Sequence, residues 1–436
     1  MHNLALALHD AGHQVSGSDD ALYEPAKSRL EQANIAPVQL GFDEKNLPAH
    51  CDAVILGMHA KATNVELLAA QSRGIRIYSY PEFIYEQSKS KTRVVIAGSH
   101  GKTTITSMIL HVMKYHDQPI DYLVGAQLEG FDRMVRLSED ADFILIEGDE
   151  YLSSAIDRRP KFLWYQPNIA LISGIAWDHI NVFHSEDIYV DQFRQFIEAI
   201  IPGGSLTYYF KDSTLNALVD SMAVPIRKFP YAEAAHEIRG DQTYLTTEEG
   251  PLALSIFGAH NMANIQGAQW ICQQLGIDRQ EFYEAIASFK GAAKRLQPIR
   301  STKAMVYKDF AHAPSKVRAT CSAVKQQYPN HSLHAFLELH TYSSLTPEFM
   351  THYHGSLQGV DTAVVLYDPE ALALKGMQPL SEGAIRAAFG REDVKVITSR
   401  EALVEILDTV NTKDAVILMM SSGNFAQFDF NYFNDL

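Results

Sequence analysis

The sequence is poor in cysteine, in tryptophan and in positive charge. Its 436 residues include 3 cysteines and 3 tryptophans, and 37 Lys and Arg stand against 52 Asp and Glu, a formal net charge of -15. The cysteines form no CxxC pair, which argues against a disulfide framework or a cysteine zinc site. The negative charge argues against a broad nucleic-acid surface, although a local cluster of cations can still bind an anionic ligand.

Long hydrophobic runs are also missing. No run is long enough to cross a bilayer, and the segment from Met1 to Leu8 lacks the charged start and the cleavage site of a secretory signal. Hydrophobic residues make up 46% of the chain, as in globular proteins. We therefore expect a cytoplasmic protein of about two to four domains, with neither a membrane nor a nucleic acid as partner.

Strand and helix patterns alternate along the chain. This alternation predicts three consecutive α/β domains, each with a mainly parallel sheet. The polar segment 87–93 and the segment 290–298 are predicted linkers, so the domains are predicted to span residues 1–88, 89–293 and 294–436. Three shorter assignments complete the prediction, namely a strand at 13–19 and edge or antiparallel strands at 204–210 and 251–258.

The sharpest signal is a glycine turn between a β-branched strand and a helix. It comprises Gly98, Ser99, His100, Gly101, Lys102, Thr103 and Thr104. Backbone N–H groups of such a turn, with the helix N-terminus, bind phosphate oxygens. Lys102 is expected to neutralise β- and γ-phosphate charge, and Thr103 to offer its hydroxyl to Mg²⁺. The central domain is thus predicted to be P-loop ATPase-like and to bind ATP, although Ile96 replaces the first glycine of the usual spacing.

Acidic and imidazole side chains end the next two strands of the predicted sheet. Glu147 ends the strand FILIE, and Asp178-His179 ends the strand that begins at Asn168. Ligands of parallel sheets bind at the carboxyl ends of the strands, and Mg²⁺ prefers hard oxygen ligands. We predict that Glu147 and His179 join Thr103 at a metal site. In isolation, Glu147 would be better explained by a solvated acidic turn and His179 by a structural role, but the P-loop in the same predicted sheet favours the metal site. His179 could also contact the substrate.

Further candidates lie towards the third domain. Asn264, in the motif HNMAN, is expected to bind adenine, whereas Asn261 could bind it or cap the helix. Arg295, in the linker motif KRL, could reach the γ-phosphate on closure, or be a solvated cation. Asp309 could accept from a ribose hydroxyl, or stabilise a turn. His312 is predicted to lie at the same sheet edge.

Together, the motifs GSHGKTT, EGDEY, the strand ending in Asp-His, HNMAN, KRL and DFAHAP resemble those of the Mur ligases, over nearly the whole chain. These are ATP-dependent amide-forming enzymes of peptidoglycan metabolism. The resemblance implies that ATP converts the carboxylate of UDP-N-acetylmuramate to an acyl phosphate, which an amine then attacks. It implies catalytic roles for Lys102, His179, Arg295 and His312, the last near the transferring phosphate or the acceptor.

The predicted amine is the tripeptide of cell-wall recycling rather than free L-alanine. The stretch after EGDEY is most similar to the branch that recycles the tripeptide L-alanyl-γ-D-glutamyl-meso-diaminopimelate, and Arg158, Arg159 and Lys161 there could meet its carboxylates. The L-alanine-adding branch is the alternative, and a nucleotide-binding relative without ligation is another. No glycine-rich loop precedes Ala5, so we expect a weak uridine-nucleotide site in the first domain. The motifs ELHTYSS and SSGNF differ from those that usually meet the acceptor.

Overall fold

A computed structural model of the chain describes residues 1–128, 130–177, 180, 182–374 and 376–434. Two compact units are distinguished, one of residues 1–98, 113–173 and 190–230, the other of residues 99–112, 174–189 and 231–436. Among the described residues, no helix is both long and apolar enough to pass through a bilayer.

The first 90 residues form a small parallel ribbon with four helices. The helices are α1 (His2–Asp10), α2 (Ala26–Gln32), α3 (Val65–Ser72) and α4 (Tyr80–Ser88), and the strands β1 (Ala53–Leu56) and β2 (Arg76–Ser79) pair in parallel. The predicted strand at 13–19 is wrong, because this segment carries no strand. Most of its side chains are exposed and Val15 is its single large apolar residue, so it has little to bury against a sheet.

A seven-stranded sheet follows. Its strands, in spatial order β5-β4-β6-β3-β7-β8-β9, are β3 (Thr92–Ala97), β4 (Asp121–Leu123), β5 (Val135–Arg136), β6 (Phe143–Glu147), β7 (Ile169–Ile172), β8 (Ser205–Tyr209) and β9 (Arg227–Tyr231). The helices of this region are α5 (Lys102–Tyr115), α6 (Glu186–Glu198) and α7 (Ser213–Ser221). Central β3 is paired in parallel with β6 and β7, and its last four side chains are fully buried. Continuous apolar sequence is typical of such a doubly covered strand.

Two predictions for this region need correction. The segment 204–210 is predicted to be at an edge or antiparallel, yet β8 is parallel to β7 and lies between β7 and β9. Four of its five residues are buried, which fits an interior parallel strand. The linker at 87–93 is shorter than predicted, because α4 reaches Ser88 and β3 begins at Thr92. Arg93 falls in the predicted linker but is buried, since its guanidinium donates to backbone carbonyls that include Tyr165.

The rest of the chain contributes two more sheets. An antiparallel sheet contains β10 (His236–Arg239), β11 (Gln242–Thr247) and β12 (Gly250–Leu254). The predicted antiparallel strand at 251–258 is confirmed, but it ends at Leu254. Helices α8 (Ala259–Gln274) and α9 (Arg279–Ile286) follow. The last sheet has the order β13-β14-β18-β15-β16-β17, with β13 antiparallel and the others parallel.

The strands of this last sheet are β13 (Gln297–Ile299), β14 (Met305–Asp309), β15 (Ser332–Leu339), β16 (Thr362–Tyr367), β17 (Lys395–Ile397) and β18 (Ala415–Met420). Its helices are α10 (Pro314–Gln327), α11 (Tyr342–Leu345), α12 (Pro347–Met350), α13 (Pro369–Leu374), α14 (Glu382–Phe389) and α15 (Arg400–Thr409). Both faces of this sheet are apolar and covered. One buries Val317 of α10 and Phe349 of α12, and the opposite face buries Leu403 and Leu407 of α15.

Candidate functional site

The turn that joins β3 to α5 is held in a conformation that favours glycine. Gly98 and Gly101 have φ angles of 125° and 75°. Ser99 fixes the turn, because its N–H donates to the carbonyl of Gly174 at 3.0 Å and its hydroxyl accepts from the N–H of Ala176 at 2.8 Å. Two of the polar groups of Ser99 therefore bond to protein, and its predicted phosphate contact stays a prediction.

Of the remaining residues of the turn, some are fixed by contacts within the protein and others are partly exposed to solvent. His100 Nε2 lies 2.8 Å from the hydroxyl of Ser315, in the first turn of α10. Thr104 is buried, and its carbonyl accepts from Ser107. Lys102 and Thr103 begin α5 and are partly exposed. A lysine and a hydroxyl at a helix N-terminus behind a glycine turn suit a nucleotide phosphate and its metal ion.

Glu147 lies at the carboxyl end of β6, beside β3. It is in register with Ile96, and the N–H of Gly148 donates to the Ile96 carbonyl at 2.8 Å. Glu147 Oε2 accepts from the N–H of Gly125 at 3.0 Å. The strand pairing therefore places this carboxylate next to the strand from which the phosphate turn leaves.

The structure describes only some of the residues that are predicted to bind the metal ion. His179 lies outside the described residues, together with Asp178. Among the residues that are described, no three His, Cys, Asp or Glu side chains cluster as a metal site. The hydroxyl of Thr103 and the carboxylate of Glu147 each have the oxygen chemistry that Mg²⁺ prefers. The site stays a prediction.

Asn264 is brought directly against the phosphate turn. A Cβ on Gly101 would stand 2.4 Å from Asn264 Oδ1, and the Asn264 amide donates to Asn261 Oδ1 at 3.3 Å. The alternative in which Asn261 caps α8 is wrong, because Gly258 occupies the N-cap position. Asn261 lies in the first turn and donates to the carbonyl of Phe257 at 2.9 Å. The adenine contacts expected of these two amides stay predictions.

Helix α8 begins directly after Gly258, at a position that favours glycine. Its φ is 91°, and a Cβ there would lie 2.5 Å from the Cβ of Ala323 on α10. A glycine lets the two helices approach closely. Burial lowers the pKa of the neighbouring His260, with Arg295 acting in the same direction and Asp309 against it. The HNMAN motif thus starts on a turn that packs against the first helix of the last sheet.

Asp309 joins the KRL linker to the start of the last sheet. Its buried carboxylate accepts from the N–H of Leu296 at 2.7 Å and from the N–H of Ala311 at 2.7 Å. Lys294 and Leu296 have φ angles of 60° and 40°, so this brace holds two non-glycine residues in the left-handed region. The predicted ribose contact of Asp309 stays a prediction beside this bracing role.

The two remaining candidates, Arg295 and His312, are neighbours in sequence of Leu296 and Ala311, whose N–H groups donate to Asp309. The guanidinium of Arg295 sits over the ring of Phe310, 4.9 Å from its centre, and the residue is partly exposed. His312 Nδ1 lies 2.8 Å from the carbonyl of Phe310. Both side chains therefore contact Phe310, which groups them although their motifs are separated in sequence.

Most of the basic residues in the segment after EGDEY form ion pairs with nearby carboxylates. Arg159 forms an ion pair with Asp157 at 3.0 Å and lies over the ring of Trp164. Lys161 Nζ lies 2.6 Å from the carboxylate of Asp149. Arg158 is exposed. Two of the three cations that are candidates for meeting a tripeptide are thus paired with side chains of their own segment.

Comparisons with known proteins agree along nearly the whole chain. Three family models match in succession, namely the Mur ligase family catalytic domain at residues 1–92, the Mur ligase middle domain at 96–272, and the Mur ligase glutamate ligase domain at 294–423. The UDP-N-acetylmuramate–L-alanine ligase of Lactobacillus delbrueckii subsp. bulgaricus is 28% identical over 448 residues, covering 98% of this chain and 94% of that protein.

Solved structures show the same fold. A murein peptide ligase from Psychrobacter arcticus 273-4 aligns with a TM-score of 0.66 and 23% identity, covering 98% of this chain and 94% of its own. The UDP-N-acetylmuramate:L-alanyl-gamma-D-glutamyl-meso-diaminopimelate ligase from Neisseria meningitides has a TM-score of 0.59 and 26% identity, covering 66% and 94% respectively. The predicted fold class is confirmed. The chain belongs to the Mur ligase family of ATP-dependent, amide-bond-forming ligases.

Proposed function

We propose that this chain uses ATP to join the amino group of L-alanine to the carboxylate of UDP-N-acetylmuramate. The match to an L-alanine ligase over nearly the full length of both chains supports the substrates. The observation that carries the reaction class is the phosphate turn, because its Gly101 lies against Asn264 and its His100 bonds to Ser315 of α10. One compact unit therefore contains the turn from Ser99 onwards, the candidate adenine residue and the last sheet.

ATP supplies the phosphoryl group that activates the carboxylate. We assign the phosphates to the turn and to Lys102, whose charge stabilises negative charge that develops on the transferring oxygens. The proposal places Mg²⁺ at Thr103, Glu147 and His179. Further assignments follow the motifs, with adenine at Asn261 and Asn264, the γ-phosphate at Arg295, the ribose at Asp309, and the reacting groups at His312.

We favour free L-alanine over the tripeptide as the acceptor because two of the basic residues after EGDEY already form ion pairs. A tripeptide carries additional carboxylates, and an arginine bound to one of them would have to leave its present partner. Arg159 and Lys161 are engaged by Asp157 and Asp149. Such partly exposed pairs contribute only about 1 kcal/mol or less, so they weaken the tripeptide assignment without excluding it.

The tripeptide is the second candidate, because a 26% identical structure carries that activity in its name. Both amines present the same L-alanyl amino group and differ in whether its carbonyl carbon is a free carboxylate. The discrimination therefore has to come from contacts beyond the nucleophile.

The test measures ADP release with a single UDP-N-acetylmuramate stock and each amine at equal concentrations. Higher kcat/KM for L-alanine is expected. Higher kcat/KM for the tripeptide would overturn the assignment in favour of the second candidate, and Arg158→Ala would then show whether the exposed arginine contributes. ATP hydrolysis that neither amine stimulates would instead indicate a relative that has lost ligation.

A further inference from the structure

The tryptophan that precedes the Asp-His motif packs against a helix of the last sheet. The centre of the Trp177 ring lies 6.5 Å from that of Phe349 in α12 and 5.7 Å from that of His352, and both pairs meet edge to face. The rings of Phe349 and His352 are 5.3 Å apart, so the three rings form one cluster. Edge-to-face pairs attract because the positive edge of one ring meets the negative face of the other.

The same tryptophan is connected to the phosphate turn. Its Nε1–H donates to the carbonyl of Phe183 at 3.0 Å, and the buried ring of Phe183 lies 5.2 Å from that of Tyr189. The hydroxyl of Tyr189 lies 2.9 Å from Ser99 Oγ, which also accepts from the N–H of Ala176. Trp177 is therefore linked to the turn twice, once through side chains and once through the residue that precedes it.

On its other side the ring cluster leads to His312. A single 3₁₀ turn, which ends at Tyr353, follows α12 directly. Tyr353 is fully buried, its ring lies 6.5 Å from that of Phe349, and its hydroxyl donates to the carbonyl of His312. All of these residues belong to one compact unit. Contacts therefore run without a break from Ser99 through Trp177 to His312.

The segment that carries Trp177 depends on such contacts for its position. Between the end of β7 at Ile172 and the start of α6 at Glu186, the described residues form neither helix nor strand. A segment without a backbone ladder is held by its side chains. Ile180 packs on the apolar core that contains Phe349, and Trp177 is partly exposed beside it. Loss of the Trp177 ring should therefore release this segment more than it unfolds either large sheet.

We propose that Trp177 is a positioning residue for phosphoryl transfer, which holds the phosphate turn and the sheet edge that bears His312 in register with each other. The inference rests on the proposed function, which assigns the phosphates to the turn and the reacting groups to His312. In that step the γ-phosphoryl group passes from ATP to a carboxylate oxygen of UDP-N-acetylmuramate and leaves ADP. Its rate depends on the alignment of the two oxygens, so a small displacement of either side slows it. Trp177 acts through Ser99 and α12, and no contact with a substrate is assigned to it.

The test replaces Trp177 by leucine, which stays apolar but removes the ring contacts and the Nε1 donor. We expect kcat to fall about tenfold or more while the KM for ATP stays within about twofold, because the turn that binds ATP is retained. Rates are expressed per site that binds ADP, counted by calorimetry, so that unfolded protein does not contribute. Trp177→Phe keeps a ring and loses only the donor, so its kcat should lie within about threefold of that of the unsubstituted enzyme.

A double-mutant cycle tests whether the effect passes through the ring cluster. Phe349→Leu removes the partner ring on α12, and the double variant combines it with Trp177→Leu. If the two rings act together, the double variant should lose little more kcat than Trp177→Leu alone, whereas independent effects multiply.

Trp164→Leu serves as the matched control. Trp164 is also partly buried, and its Nε1–H donates to Asp157 at 2.7 Å, but its ring lies against Arg159, outside these contacts. Its kcat per site should stay within about twofold. An unchanged kcat in Trp177→Leu overturns the inference, and so do effects that multiply in the double variant or an equal fall in Trp164→Leu. Failure of the unsubstituted enzyme with both amines would show instead that the proposed function is wrong.

Discussion

The side-chain oxygen of Asn264 occupies the space beside Gly101 that a Cβ would need, at 2.4 Å. Gly101 is the residue of the phosphate turn that directly precedes α5, and Asn264 lies in the second turn of α8, more than 160 residues later in the chain. Both are buried or half-buried. This contact connects the turn to the helix that carries the candidate adenine residues. A substitution at either residue should therefore change the position of the other.

Gly101→Ala should therefore impair ATP turnover. The substitution places a methyl group against Asn264 and forces alanine into a φ of 75°. Gly276→Ala is the matched control, because Gly276 has a φ of 93° and no heavy atom lies within 4 Å of the point that its Cβ would occupy. The backbone penalty of about 1–2 kcal/mol is common to both, so both midpoints should fall. Turnover should fall about tenfold or more in Gly101→Ala alone; equal activity of the two variants would contradict the contact's role.

Lys102→Ala should abolish ligation while preserving the fold. The lysine begins α5 behind the glycine turn, where a cation stabilises charge on phosphate oxygens, and turnover should fall by about two to three orders of magnitude. Lys114→Ala, near the other end of the same helix, is the control, since Lys114 bonds to the carbonyl of Gly130. ADP release and the thermal midpoint are measured for both. Near-normal turnover of Lys102→Ala would remove the lysine from the phosphate site.

Glu147→Gln should shift the Mg²⁺ requirement of the reaction. Glutamine keeps an oxygen for the N–H of Gly125, so the fold is retained, but it loses the charge that a divalent cation prefers. The Mg²⁺ concentration for half-maximal activity should rise about tenfold or more, with a smaller change in substrate KM. Glu139→Gln makes the same change at an exposed position. Superimposable Mg²⁺ titrations for both variants and the unsubstituted enzyme would argue against a metal role for Glu147.

His334 should make the protein less stable in mild acid. Burial lowers the pKa of His334, whose ring lies 3.0 Å from the Thr362 hydroxyl and 3.1 Å from the Ser332 hydroxyl. An unfolded chain, with a histidine pKa of about 6.5, takes up the proton first. The contribution of His334 is thus present above about pH 6.5 and is lost as the pH falls from there towards the folded pKa.

The corresponding measurement is the urea midpoint at several pH values between about 5 and 7. His334→Gln removes the titrating ring, so its midpoint should fall less over this range than that of the unsubstituted protein. Identical pH profiles of the two proteins would show that His334 is not responsible for the loss of stability at lower pH.

Site residues that lie in short, local sequence motifs could be predicted from the sequence. The strand, glycine turn and helix around Lys102 are local, and the structure shows them where the pattern predicts them. Glu147 likewise ends a strand beside β3. The segment 13–19 and the orientation of β8 could not be predicted, because a strand needs a partner and its neighbour is chosen by the whole sheet.

Glu338 begins the motif ELHTYSS, but the sequence does not indicate which groups it bonds to. It is an acidic residue in the otherwise mostly apolar strand SLHAFLEL, and a charge there has to find bonded partners when the strand is buried. Its partners, Ser421, Phe425 and Ala426, lie more than 80 residues away. Spacing in the sequence gives no hint of that pairing.

Short-range patterns in the chain are enough to specify the alternation of strands and helices, the apolar interior strands and the phosphate turn, since these follow from periodicity and from the backbone freedom of glycine. Which distant groups meet is set only when the chain folds. Folding places Asn264 against Gly101, binds the KRL linker to Asp309, and engages Arg159 and Lys161 with nearby carboxylates. The reason is physical: close packing and the bonding of buried polar groups select contacts by position in space, which residue spacing along the chain does not encode.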